Sequence, residues 1–248
     1  MKNDFHKKWK EFINEETSFR KEFINEETSF SAQTFPFDVY CDMDGVLVDL
    51  IDGIIKAADL KIPPEDKKQR NALMTILGSE KEWKDFKGTK AGHVLKFIHR
   101  LLSNDVEFWA NLPPMADAQK LWNYIVPLEP YILSHGWDKD SDKGKRIWLS
   151  SLANNLQPPP PQSKVILTGD KFKHAVNEQT GEPNILIDDM DKYLKPWAES
   201  GGIGIKHVSA ENTINELNRI MDDFRRGTDA NEPEENQPPE DDPETSEL

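Results

Sequence analysis

The chain has 248 residues, 36% of them apolar, and a formal net charge of -14. That length holds one good-sized domain with an insertion, or two small ones, and the acidity excludes non-specific nucleic-acid binding through bulk charge. No run approaches the roughly 18 apolar residues of a membrane span, and the N-terminus lacks the apolar core of a secretory signal, so a cytoplasmic chain is expected.

Much of the charge is local. From Gly227 to Leu248 there are nine Asp or Glu, four Pro and no Lys or Arg, the composition of a disordered acidic tail. The lone cysteine, Cys41, cannot form an internal disulfide and fits a reducing compartment.

Residues 1–34 read as an extension. KEFINEETSF stands at 10–19 and again at 21–30, a period of eleven that puts Phe12, Ile13, Phe23 and Ile24 on one helical stripe. Two copies are too few for a solenoid, which leaves a loosely ordered terminal extension or an address peptide that binds a protein partner. On the second reading KEFINE resembles the capsid-targeting peptides of tailed-phage internal head proteins. That resemblance implies cleavage after Glu15 and Glu26 and packaging into a capsid in place of a purely cytoplasmic life.

The organising stretch is FDVYCDMDGVLVDL, residues 37–50. Phe37–Cys41 is an apolar strand, and Asp42 and Asp44 follow it at spacing i, i+2, which sends both side chains to one side of extended backbone. At the carboxyl end of a parallel strand, that is where ligands bind. Two carboxylates so close repel each other unless one is protonated or a cation lies between them, and Mg²⁺ is the hard, oxygen-seeking ion that fits.

Residues 50–111 carry helical periodicity, clearest in Val94, Leu95, Phe97, Ile98, Leu101 and Leu102, and Pro63-Pro64 and Gly78 divide the stretch into three or four short helices. After it, helices and strands alternate. Helices are expected at 116–125, 143–153, 193–200 and 209–224, and strands at 131–133, 165–168, 184–187 and 203–206. This pattern predicts an α/β fold, a doubly wound parallel sheet with a helical insertion after its first strand, over residues 35–226. Lys139–Arg146 reads as a solvated helix start.

Candidate polar residues end the later strands. Ser134 follows YIL, Lys171 follows VILTGD, and Asp188-Asp189 follow NILI. Adjacent acids after four apolar residues need a partner. A receiver domain combines the same residue types, but there the acidic pair comes first and the lysine last.

DMDGVLVD closely resembles the first motif, DxDGxxxD, of the haloacid dehalogenase-like (HAD) phosphohydrolases. Within that superfamily the chain is most similar to the 5'(3')-deoxyribonucleotidase family over about residues 37–206, through DMDGVLVD, FWANLPPMADA, ILS, KRIWL, VILTGDK and LIDD. The resemblance implies a Mg²⁺-dependent phosphomonoester hydrolase, acting on nucleoside monophosphates, with residues 50–111 as its cap. It implies Asp42 as nucleophile and Asp44 as general acid and base. Ser134, Lys171 and Lys145 are implied to bind phosphate. Asp42, the backbone carbonyl of Asp44, and Asp189 would hold the metal, supported by Asp188. Met190 stands where that family has Arg, which puts its sugar and base preference in doubt. Among the cap aromatics Trp83, Phe86, Phe108 and Trp109, stacking on a base competes with filling the cap's own core. Two further readings remain open: a phosphatase for another small phosphate or a polynucleotide end, and a non-catalytic binding or packaged phage protein.

Overall fold

The computed structural model describes residues 36–77, 92–151 and 156–229. The terminal repeat, Trp83, Phe86 and the acidic tail from residue 230 onward lie outside the described residues.

Strand β1, Val39–Cys41, is buried at all three residues, as the centre of a parallel sheet covered on both faces requires. It pairs in parallel with β2, Tyr131–Ser134, on one side and with β4, Ile185–Asp188, on the other. Strand β3, Val165–Leu167, continues beyond β2, and β5, Ile203–Lys206, beyond β4, so the order is β3-β2-β1-β4-β5 and every pairing is parallel. The chain winds outward from β1 to β3, then crosses back and winds out through β4 and β5. The winding reverses between β1 and β4, the kind of switch point at whose carboxyl ends ligands bind in open α/β sheets.

Alternation along β1 builds both faces. Val39 and Cys41 join the larger core, and Tyr40 joins a smaller one with Leu133, Ala175, Leu186 and Trp197. Between β1 and β2 lie helices α1 (Leu50–Lys61), α2 (Lys67–Leu77), α3 (Gly92–Leu102), α4 (Val106–Ala110) and α5 (Ala118–Ile125). The expected periodicity in α3 is realised by Val94, Ile98 and Leu102, all buried. Helix α6 (Lys139–Ser150) follows β2, α7 (Asp191–Glu199) follows β4, and α8 (Ala210–Asp229) closes the chain. Through Leu217, Ile220 and Met221, α8 joins the larger core, where the Phe224 ring meets the Phe37 ring edge-on at 5.4 Å. It runs five residues beyond the expected end at 224 and takes in the first three residues of the stretch read as tail.

Helix α6 starts four residues before the position expected from its apolar spacing, because a capping box nucleates it. Asp138 Oδ1 accepts the N–H groups of Asp140 and Ser141, and Ser141 Oγ accepts the Asp138 N–H at 2.7 Å. Asp138 Oδ2 also accepts the Asn104 N–H at 2.9 Å, tying the loop after α3 to this helix. Gly144 lets α4 lie against α6: a Cβ there would stand 2.4 Å from Trp109 Cβ and 2.6 Å from the Val106 carbonyl. Among the described residues no helix is long and apolar enough to cross a membrane.

Candidate active site

Asp42 is the first residue past β1. Its N–H donates to the Ile187 carbonyl of β4 at 2.9 Å, so the backbone is still held to the sheet while the carboxylate emerges over the edge. The chain then folds back, and the Met43 carbonyl accepts N–H groups from Leu47 and Val48, each at 2.9 Å. Gly45 makes this turn possible. Its φ is +78°, and a Cβ there would stand 2.3 Å from Asp189 Oδ2. A side chain would both strain the backbone and push Asp189 away.

Two lysines, both essentially removed from solvent, converge on these acids. Lys171, 1% exposed, stands 2.8 Å from Asp42 Oδ1, an ion pair without hydrogen-bond alignment, and donates to Asp188 Oδ2 at 2.7 Å. Burial alone would depress its pKa, but Asp42 and Asp188 outweigh burial and hold it above the usual lysine value. The Lys171 ammonium also lies 4.4 Å over the Tyr193 ring. Lys145, 0% exposed, donates to Asp44 Oδ2 at 2.5 Å, to Ser134 Oγ at 3.0 Å and to the His135 carbonyl at 2.8 Å. Its fourth neighbour is Trp109, whose ring centroid is 4.9 Å away.

The adjacent acids divide their work. Asp188 ends β4, fully buried, and both its oxygens are engaged: Oδ2 by Lys171 and Oδ1 by the Met190 N–H at 2.8 Å. Asp189, one residue on, leaves the strand and keeps Oδ1 buried with no hydrogen-bond partner. Asp44 Oδ1 is likewise buried and unpartnered. Burial, with Asp42 next in size, pushes Asp188 up to about 7 and Asp189 up to about 6. Burial also raises Asp44, against the pull of Lys145.

One oxygen each from Asp42, Asp188 and Asp189 all lie within 4.8 Å of one another. Three carboxylates drawn together, with two pKa values raised and the buried Asp42 Oδ1 and Asp189 Oδ1 both without a hydrogen bond, fit a divalent cation. Asp42 and Asp189 have oxygens to give it, and Asp188, held from both sides, supports them.

The seven polar residues singled out from the sequence, Asp42, Asp44, Ser134, Lys145, Lys171, Asp188 and Asp189, therefore meet at the carboxyl edge of β1, β2 and β4. The two aromatics do not form an open stacking platform. Trp109 is buried, donates its Nε1–H to the Leu102 carbonyl at 2.9 Å and backs Lys145; Phe108 is half-buried and meets Trp109 edge-on at 5.5 Å. Sequence reasoning missed Gly45 as the spacer for Asp189, the His135 carbonyl as acceptor for Lys145, and Tyr193 as the wall beside Lys171. The Gly in DMDG was a visible signal for the first, whereas nothing in the sequence marks the other two.

No family model matches the chain. No curated protein sequence matches it either. Among solved structures, it is similar to a hydrolase from Streptococcus pneumoniae TIGR4 at 14% identity and TM-score 0.43, over 75% of this chain and 97% of that one. It is similar to an L-2-haloacid dehalogenase from Xanthobacter autotrophicus with chloropropionic acid covalently bound, at 13% identity and TM-score 0.41, over 68% of this chain and 76% of that one. A dehalogenase described as an intermediate complex gives 13% identity and TM-score 0.41, over 68% of this chain and 83% of that one.

Proposed function

We propose that this chain is a hydrolase of the HAD type, a divalent-cation-dependent phosphomonoesterase working through an aspartyl-phosphate on Asp42, with nucleoside monophosphates as its substrate class. The observation that carries the reading is the meeting of Asp42, Asp188 and Asp189 within 4.8 Å, flanked by the fully buried amines of Lys145 and Lys171. A purely structural α/β body gains nothing from burying two ammonium groups with Asp42 and Asp188, and half-burying Asp44 and Asp189, at one sheet edge, since each buried charge costs several kcal/mol of desolvation before it is paired, by order of magnitude. An anionic substrate and a cation give the arrangement a use.

In this mechanism Lys171 and Lys145, with the Ser134 hydroxyl, bind the phosphoryl oxygens, where charge spreads in the loose transition state. Asp42 attacks phosphorus. The new O–P bond forms as the bond from phosphorus to the ester oxygen breaks, and Asp44 passes its proton to that departing oxygen. The raised pKa of Asp44 suits it to hold that proton. Asp44, now a carboxylate, takes a proton from water as the water oxygen attacks phosphorus, which breaks the Asp42–phosphate bond and releases inorganic phosphate. When bound by Asp42 and Asp189, with the Asp44 carbonyl as a further donor, Mg²⁺ would supply Lewis acidity that offsets repulsion between nucleophile and phosphate.

The test is phosphate release from a panel of 5'- and 3'-nucleoside monophosphates and sugar phosphates, with Mg²⁺ and with EDTA, for the wild type and Asp42→Asn. Metal-dependent turnover that disappears in Asp42→Asn supports the reading, and the ranking across the panel assigns the substrate. A folded, Mg²⁺-loaded protein that releases phosphate from nothing on the panel overturns it.

A further inference from the structure

The rim of the site formed by the segments that follow β2, β3 and β4 carries cationic and hydrogen-bonding groups that the reaction above does not use. Tyr193, in the first turn of α7, is flanked by two ammonium groups, Lys171 at 4.4 Å and Lys192 at 4.8 Å from its ring centroid. Lys171 is committed to Asp42 and Asp188. Lys192 is exposed and has no carboxylate partner among the described residues, unlike its neighbours Lys173, paired with Asp170 at 2.6 Å, and Lys206, paired with Asp191 at 2.9 Å.

The His135 ring closes the same corner. Its backbone carbonyl turns inward to Lys145, while its ring stands 6.4 Å from the Tyr193 ring and rests on Gly169, where a Cβ would come within 2.8 Å of Nδ1. Neither the His135 ring nitrogens nor the Tyr193 hydroxyl has a hydrogen-bond partner among the described residues. Burial, then the charges of Lys145, Lys192 and Lys171, press the His135 pKa down. That shift favours the neutral ring, which keeps one N–H to donate.

Charge complementarity says what this corner would receive. Four carboxylates and two buried lysines leave the inner site with two negative charges when all are ionised. A divalent cation neutralises them, and the reacting phosphate is then met by Lys145, Lys171 and that cation. Lys192 and the two free donors are surplus to a simple phosphomonoester. Resting on the hydrolase reading, we infer that Lys192, His135 and Tyr193 form a second anion subsite, and that the preferred substrate is a small phosphomonoester carrying a second phosphate, such as a nucleoside bisphosphate.

The experiment compares a nucleoside 3',5'-bisphosphate with the matching 5'- and 3'-monophosphates, using the full chain with Mg²⁺. Phosphate release is measured for the wild type, Lys192→Ala and His135→Ala, and binding is measured calorimetrically to Asp42→Asn with and without Lys192→Ala. The bisphosphate should be favoured about tenfold in kcat/KM through KM, the worth of one charge-assisted hydrogen bond. In Lys192→Ala that preference should shrink to about twofold, with kcat on the monophosphates unchanged, and added salt should erode it in the wild type as expected for an exposed contact. Equal KM values for bisphosphate and monophosphate, or a Lys192→Ala loss shared by both, would overturn the subsite. Release from none of the compounds would count against the hydrolase alone, because the binding comparison on Asp42→Asn still decides the subsite.

Discussion

Neutralising Asp189 should stabilise the metal-free protein while removing its response to Mg²⁺. Asp189 sits with one oxygen buried and unpaired beside Asp42, and its carboxyl is pushed from 3.8 up to about 6. At 1.36 kcal/mol per pH unit the rise corresponds to about 3 kcal/mol against the ionised form, and partial solvent access reduces it to about 1–3 kcal/mol. The sign follows from linkage. An acid with a raised folded pKa costs nothing below its unfolded value; the cost grows as pH rises from 3.8 and is complete above about 6. Asp189→Asn should therefore melt about 3–10 °C above the wild type in EDTA at about pH 7.5, and the gap should narrow toward about pH 4. Millimolar Mg²⁺ should raise the wild-type melting temperature at neutral pH and leave Asp189→Asn nearly unmoved. Thermal melts followed by circular dichroism, with EDTA or Mg²⁺ at both pH values, read all four arms. A variant less stable than the wild type in EDTA would refute the repulsion argument, and an equal Mg²⁺ shift in both proteins would refute Asp189 as a ligand.

Lys145→Ala should cost about 3–5 kcal/mol, because Asp44 then remains buried without its counter-charge, and denaturant melts would show whether Asp44→Asn placed alongside it recovers part of the loss. Asp44→Asn alone should keep the fold and the Mg²⁺ response but lose about a hundredfold or more in kcat for poor leaving groups, with far less effect on an activated aryl phosphate that needs no proton; equal losses on both esters would count against Asp44 as the acid. The basic limb of the wild-type kcat profile belongs to Asp44 on this reading, displaced upward from the ordinary carboxylate range because burial disfavours its ionised form. Gly45→Ala meets a positive φ and the Asp189 carboxylate together, so a destabilisation of about 1–3 kcal/mol and a loss of the Mg²⁺-dependent melting shift should appear in the same melts.

How much of this was legible in the sequence depends on the kind of signal each part carries. Strand β1 and the acids after it were plain, since a fully buried parallel strand is a continuous apolar run and charges placed directly at its end must have a use. The start of α6 was misplaced because its signal lies in Asp138 and Ser141, capping side chains outside the apolar periodicity from which the helix was bounded. Lys145 gives the sharper lesson. Its spacing to Trp148 and Leu149 puts it on the buried side of α6, where a lysine has no business unless a charge faces it, yet the facing Asp44 lies 101 positions earlier in the chain. Only the winding of β1 beside β2 brings the two together.

The adjacent acids show where pattern stops and geometry begins. As letters Asp188 and Asp189 are equivalent, and the pair alone does not say which one meets a metal. The strand decides it. Asp188 is the last residue of β4, where register with Lys206 across the sheet and the His207 N–H on its carbonyl at 2.9 Å fix its backbone, so its side chain turns into the layer that holds Lys171. Asp189 has left the ladder, faces the gap that Gly45 keeps open and retains an unsatisfied oxygen. Exchanging the roles would require β4 to slip by one residue, which would also turn Ile187 and Leu186 out of their separate cores. The register that packs the sheet is thus the same constraint that sorts one acid to the lysine and leaves the other open to the cation proposed above.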